Sequence, residues 1–102
     1  MLWRQGDIFI CDTAEIPSEA IRQKHLVLAD GELTGHQHRI DDPRAAVLYE
    51  GQNELYLDVL VERASVVHQE HGTVCLDRGK YRVWRQREYD PLQFRRSVIV
   101  TD

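Results

Sequence analysis

The chain has 102 residues, of which 42% are hydrophobic and 29% charged, with a net charge of −4. That is the size and balance of one globular domain around a single core, and it excludes a disordered chain. No apolar run approaches the roughly 20 residues that cross a bilayer, and Met1-Leu2-Trp3-Arg4-Gln5-Gly6-Asp7 has no basic leader ahead of an apolar stretch. These features predict a cytoplasmic domain with no membrane contact. The two cysteines, Cys11 and Cys75, lack metal-type spacing, which predicts reduced, buried thiols.

The predicted elements are short and extended. Gly6-Asp7-Ile8-Phe9-Ile10-Cys11 reads as a first strand, with Trp3 anchoring its start. Pro17 and Ser18 suit a turn or one short helical turn. His25 to Ala29 is a second strand, and Asp30-Gly31-Glu32 a turn. His36 to Ile40 is extended until Asp41-Asp42-Pro43 ends it. Ala46 to Glu50 is a strand, followed by a turn at Glu50-Gly51-Gln52-Asn53. From Glu54 to Val61 the pattern alternates, with Leu55, Leu57 and Val59 on one face.

Ser65 to His68 and Gly72 to Leu76 are two short extended runs, and Asp77-Arg78-Gly79 reads as a tight turn. Lys80 to Arg87 alternates strongly, Asp90-Pro91 opens a loop, and Ser97 to Val100 is a last strand. About eight short strands at regular spacing, without a defensible helix, predict an all-β fold: a small barrel, jelly roll or sandwich.

Four of the five histidines fall in two pairs, His36 with His38 and His68 with His71. On a strand, side chains at i and i+2 share a face with Cα atoms about 6.5–7 Å apart, which lets two imidazoles reach one ion. His36 and His38 have that spacing, although it also occurs on solvated edges without consequence. His68 and His71, at i and i+3, share a face only if a bulge or turn at Gln69-Glu70 brings both inward.

Three or four imidazoles collected in this way would hold a divalent transition metal such as zinc, iron, nickel or copper. Glu70 is placed to ligate, to orient an imidazole or to serve as an acid or base, and Asp41, Asp42 and Glu50 are the other carboxylates nearest in sequence.

A histidine pair opening a strand in a small β-rich chain resembles the cupin superfamily. The cupin pattern places a glutamate three or four residues after His-x-His; here Asp42 follows His38 after three residues. The second cupin motif runs Pro-x-Gly, two residues, His. Asp77-Arg78-Gly79-Lys80-Tyr81-Arg82 has that shape, with aspartate for proline and Arg82 in place of the third histidine. The resemblance implies a metal-binding barrel in which His68 or His71 replaces the third ligand.

The whole chain resembles a group of small bacterial all-β proteins without an assigned activity. The shared segments are Gln5-Gly6-Asp7, Gly35-His36-Gln37-His38, His68-Gln69-Glu70-His71, and Gly79 through Tyr89, which includes Gln86-Arg87-Glu88-Tyr89.

Charge is unevenly spread. Residues 1–77 hold 6 basic and 14 acidic side chains, a net of −8, and residues 78–102 hold 7 basic and 3 acidic, a net of +4. On the late strand, Arg82, Trp84, Arg85 and Arg87 are candidates for an anion or an interaction surface. The favoured expectation is that these arginines neutralise the acidic remainder of the chain. The overall negative charge disfavours nucleic acid.

Two readings of function follow. One is a transition-metal site serving small-molecule chemistry, sensing or stability. The other is a non-catalytic interaction module, or a homodimer, that uses the arginine-rich strand or an exposed sheet edge.

Overall fold

The computed structural model describes residues 1–30 and 35–86. Arg87, the Asp90-Pro91 loop, the predicted strand at Ser97 to Val100, and Gly31 and Glu32 lie outside the described residues. The described chain is all-β, as expected, with eight strands: β1 (Leu2–Gln5), β2 (Ile8–Asp12), β3 (Ile21–Arg22), β4 (Val27–Asp30), β5 (Gln37–Ile40), β6 (Ala46–Glu50), β7 (Leu55–Val67) and β8 (Val74–Arg85).

A long, bent hairpin forms the spine. β7 and β8 pair antiparallel from Leu55↔Val83 to Val66↔Val74, and their register shifts between Val59 and Arg63. The shift divides the hairpin into two wings. In the first, β8 also pairs β2, which pairs β1, while the start of β7 pairs β6, which pairs β3. In the second, the end of β7 pairs β5, which pairs β4. All pairings are antiparallel, and among the described residues the sheet does not close on itself.

The core follows from side-chain parity. In the first wing the buried positions are odd-numbered on the spine: Leu57, Val59, Tyr81 and Val83. In the second they are even-numbered: Ala64, Val66 and Leu76. Side chains alternate along a strand, and the inward parity of both strands changes at the irregular step where Leu60, Val61 and Glu62 of β7 stand against Arg78 of β8. Both wings thus present apolar faces to one cluster, which also includes Ile8, Ile10, Leu28, Ile40 and Leu48. Burial of this apolar surface is the main force holding the wings together.

Several expected boundaries move. The predicted turn at Asp77-Arg78-Gly79 lies inside β8, where Gly79 (φ 154°) pairs with Val59 at the bend. Tyr81 braces that bend by donating its hydroxyl to the Asp77 carbonyl at 2.6 Å. Turn composition was outweighed here by cross-strand pairing on both sides. The run at Ser65 likewise belongs to β7 rather than to a strand of its own.

The predicted first strand is a hairpin. Gln5 pairs with Ile8, which leaves Gly6 and Asp7 as a two-residue turn, with Gly6 at φ 60°. A glycine with positive φ in the first central position suits a type II′ turn, whose twist matches the flanking strands. Pro17 opens a turn closed by the Ala20 amide rather than a helix, and β3 follows it. The cysteines are free, but they are not both buried: Cys11 is half-buried and Cys75 exposed.

Candidate metal centre

Strand register brings the two histidine pairs together. β5 and β7 pair Arg39↔Val67 and Ile40↔Val66. Continuing that antiparallel register past the end of β7 sets His38 opposite His68 and His36 opposite Glu70. The side chains agree. The His38 and His68 rings have centroids 4.2 Å apart, and Glu70 Oε1 lies 2.6 Å from His36 Nδ1. The Gln37 amide donates to Gln69 Oε1 at 3.0 Å, which fastens the β7–β8 connection to β5. His71 completes the group, with its ring 4.7 Å from His68 and 6.0 Å from His38; His36 lies 5.7 Å from His68.

The β1–β2 turn supplies the other wall. Gln5 is buried, and its Nε2 donates to the carbonyls of Val66 (2.9 Å) and Gly72 (2.8 Å). Both protons of the amide are thereby used. Its Oε1, 2.9 Å from His38 Nδ1, must therefore accept, and His38 carries a proton on Nδ1. His38 Nε2 faces Asp7 Oδ1 at 3.3 Å. Asp7 is held from behind by Arg85 Nε, 3.1 Å from its Oδ2. Gly6 makes room for the cluster, because a Cβ there would lie 2.6 Å from His71 Nε2.

The electrostatics favour neutral rings. Burial pushes His38 below the usual histidine range, His68 adds to the effect, and Asp7 opposes it. His68 is also lowered, first by desolvation and then by His71 and His36. A neutral His38 with its proton on Nδ1 turns a bare Nε2 lone pair toward a carboxylate oxygen. His36 also directs its Nδ1 at an oxygen acceptor, Glu70 Oε1. His68 is oriented the other way: its Nδ1 accepts the Glu70 amide at 3.0 Å, so the neutral ring carries its proton on Nε2.

The sequence-predicted candidates separate cleanly. His36, His38, His68, His71 and Glu70 come together. Asp42 does not; it accepts from the Arg44 amide at 2.9 Å in the β5–β6 connection. Glu50 ends β6 and lines a cleft of about 490 Å³ with Leu28, Leu55, Trp84 and Arg85. Asp7 and Gln5 were not among the candidates, although both lie in the Gln5-Gly6-Asp7 segment. Only a two-residue hairpin reading of Gly6-Asp7 would have pointed to them.

Among the described residues, no three histidine, cysteine, aspartate or glutamate side chains are already set around a common ion position.

The arginine-rich strand is engaged within the domain. Arg82 pairs with Glu54 and lies over Trp84, and Trp84 stacks on Phe9. Arg85 holds Asp7 and donates to the Asp30 carbonyl. Residues 81–83 pair with strands on both sides, and Trp84 and Arg85 pair with β2. No described helix is long and apolar enough to cross a membrane.

A family model described as a domain of unknown function, DUF8820, matches residues 4–86, and the chain belongs to that family. That span contains every residue of the cluster, and the match shows no link to the cupins. No curated protein and no solved structure matches the chain.

Proposed function

We propose that this domain binds a divalent transition metal between His38 and Asp7, with the imidazoles of His71, His68 and His36 available to complete the set. The observation that carries this reading is the His38 Nε2 to Asp7 Oδ1 approach of 3.3 Å. Nitrogen and oxygen ligands at about 2.0–2.2 Å from one ion, at angles of 90–110°, stand roughly 2.9–3.4 Å apart. A bare lone pair facing a carboxylate at that distance calls for a cation between them. Burial and neighbouring imidazoles oppose a second proton on His38 while Asp7 favours one, and a metal ion is the cation we assign to this position.

The ring spacing supports the same reading. Imidazoles on one tetrahedral ion place their centroids roughly 5 Å apart, and the spacings here run from 4.2 to 6.0 Å. Loading would require modest rotation of the rings, and His68 would have to release the Glu70 amide. Mixed imidazole and carboxylate donors suit zinc, iron, nickel or copper rather than calcium or magnesium. A bound ion would supply Lewis acidity toward a small molecule and would tie the two wings together.

Metal content of protein prepared without an affinity tag tests the proposal. Stoichiometric metal is expected in the wild type and its loss in Asp7→Asn and in the His36→Ala/His38→Ala double variant. A metal-free wild type whose melting temperature ignores added Zn²⁺, Ni²⁺ and Fe²⁺ would end it.

A further inference from the structure

We infer that Gln5 is the positioning residue of this cluster, setting which nitrogen His38 presents and holding the loop that carries His68 and His71 against it. Gln5 lies at the end of β1, far in sequence from either histidine pair, and is 2% exposed. Three contacts exhaust its amide. Two are donated to carbonyls on either side of the second pair: Val66 lies two residues before His68, and Gly72 directly follows His71. The third is accepted from His38 on β5. One side chain therefore joins β1, β5 and both flanks of the β7–β8 connection.

Chemistry fixes the direction of these bonds. Turning the amide over would put its oxygen against two carbonyl oxygens, each a pure acceptor. With the amide so oriented, a neutral His38 has one permitted form, protonated on Nδ1 and bare on Nε2. The bare nitrogen is the one that faces Asp7. Glutamine suits this role better than a carboxylate, because it both donates to the carbonyls and accepts from the ring. It also adds no buried negative charge that would draw a second proton onto His38.

The affinity arm of the test rests on the metal reading; the tautomer arm does not. Two-bond ¹⁵N–¹H correlation spectra of metal-free protein at pH 8 separate protonated from bare ring nitrogens. The wild type is expected to show His38 as a single form with the proton on Nδ1. Gln5→Met, which removes all three contacts at similar volume, is expected to give a mixture of tautomers and a zinc affinity about 10–100-fold lower. Gln5→Glu sets an oxygen against the Val66 and Gly72 carbonyls and a negative charge beside His38, and is expected to lose the single Nδ1-protonated form as well.

A wild-type His38 protonated on Nε2 overturns the inference without recourse to any variant, and so does a Gln5→Met spectrum with the His38 tautomer unchanged. If the wild type binds no zinc, the metal proposal fails while the spectra still decide the role of Gln5.

Discussion

Replacing Gly6 by alanine tests the packing of the site against a built-in control. Gly6 and Gly35 both have positive φ, 60° and 70°, but their surroundings differ. Among the described residues a Cβ at Gly35 meets nothing within 4 Å, whereas one at Gly6 lies 2.6 Å from His71 Nε2 and 2.9 Å from its Cδ2. Gly35→Ala therefore carries only the backbone cost of a left-handed residue, about 1–2 kcal/mol. For a domain of this size that lowers the melting temperature by roughly 5–15 °C.

Gly6→Ala carries a similar backbone cost and must also move His71. Ordinary contact begins at 3.4 Å, so the ring has to shift by about 0.8 Å. Metal–ligand distances tolerate only about ±0.2 Å. The expected outcome is a melting temperature for Gly6→Ala below that of Gly35→Ala, with zinc affinity lowered about 10–100-fold. Gly35→Ala should retain its zinc affinity. Thermal melts in chelator, paired with zinc titrations, measure both effects. Equal melting temperatures and equal zinc affinities in the two variants would refute the account of Gly6 as space left for His71.

Acid should destabilise the metal-free fold. His38 and His68 are held below the ordinary value of 6.5 in the folded state, so the unfolded chain takes up protons first. Stability should be level above about pH 7 and fall as the pH drops through 6.5 toward the folded values, in melts run from pH 8 to 5; a flat or rising profile would contradict the burial argument. Tyr81→Phe removes the bond to the Asp77 carbonyl at the bend and should cost about 0.5–1.5 kcal/mol in denaturant unfolding; no measurable loss would mean that the bend needs no brace. Leu57→Ala, at a position with no exposed surface, should cost about 2–5 kcal/mol, and a smaller value would argue against one core shared by both wings.

The strand content was readable because it is local. Alternation such as Leu55, Leu57 and Val59 reports one buried face wherever the partner strand comes from, and the short, regularly spaced extended runs left no stretch that reads as a helix. The bend was not readable. The parity change from Val59 to Ala64 appears in the sequence only as a break in pattern, and a break reads as a turn. The site divides along the same line. His36 and His38 share a face by local geometry, and that much follows from spacing. Their meeting with His68 depends on β5 pairing with the far end of β7, a choice set by long-range packing. Gln5 and Asp7 could not be singled out, since each is an ordinary polar residue until the Gly6 hairpin turns it inward.

The position of the cluster explains why a metal would matter to this fold. Asp7 and Gln5 belong to the first wing, His38 to the second, and His68 and His71 to the connection at the end of the spine. Among the described residues the sheet remains open, and Gln5 is a polar link between the wings at this edge. An ion held by Asp7 and His38 would join them a second time, and because the unfolded chain brings no such set together, binding free energy becomes folding free energy. Zinc at 100 times its dissociation constant should then add about 2.7 kcal/mol, raising the melting temperature by roughly 10–20 °C. Asp7→Asn should abolish most of that rise while leaving the core untouched. A zinc-dependent rise that persists in Asp7→Asn would place the ion among the imidazoles alone and remove Asp7 from the set.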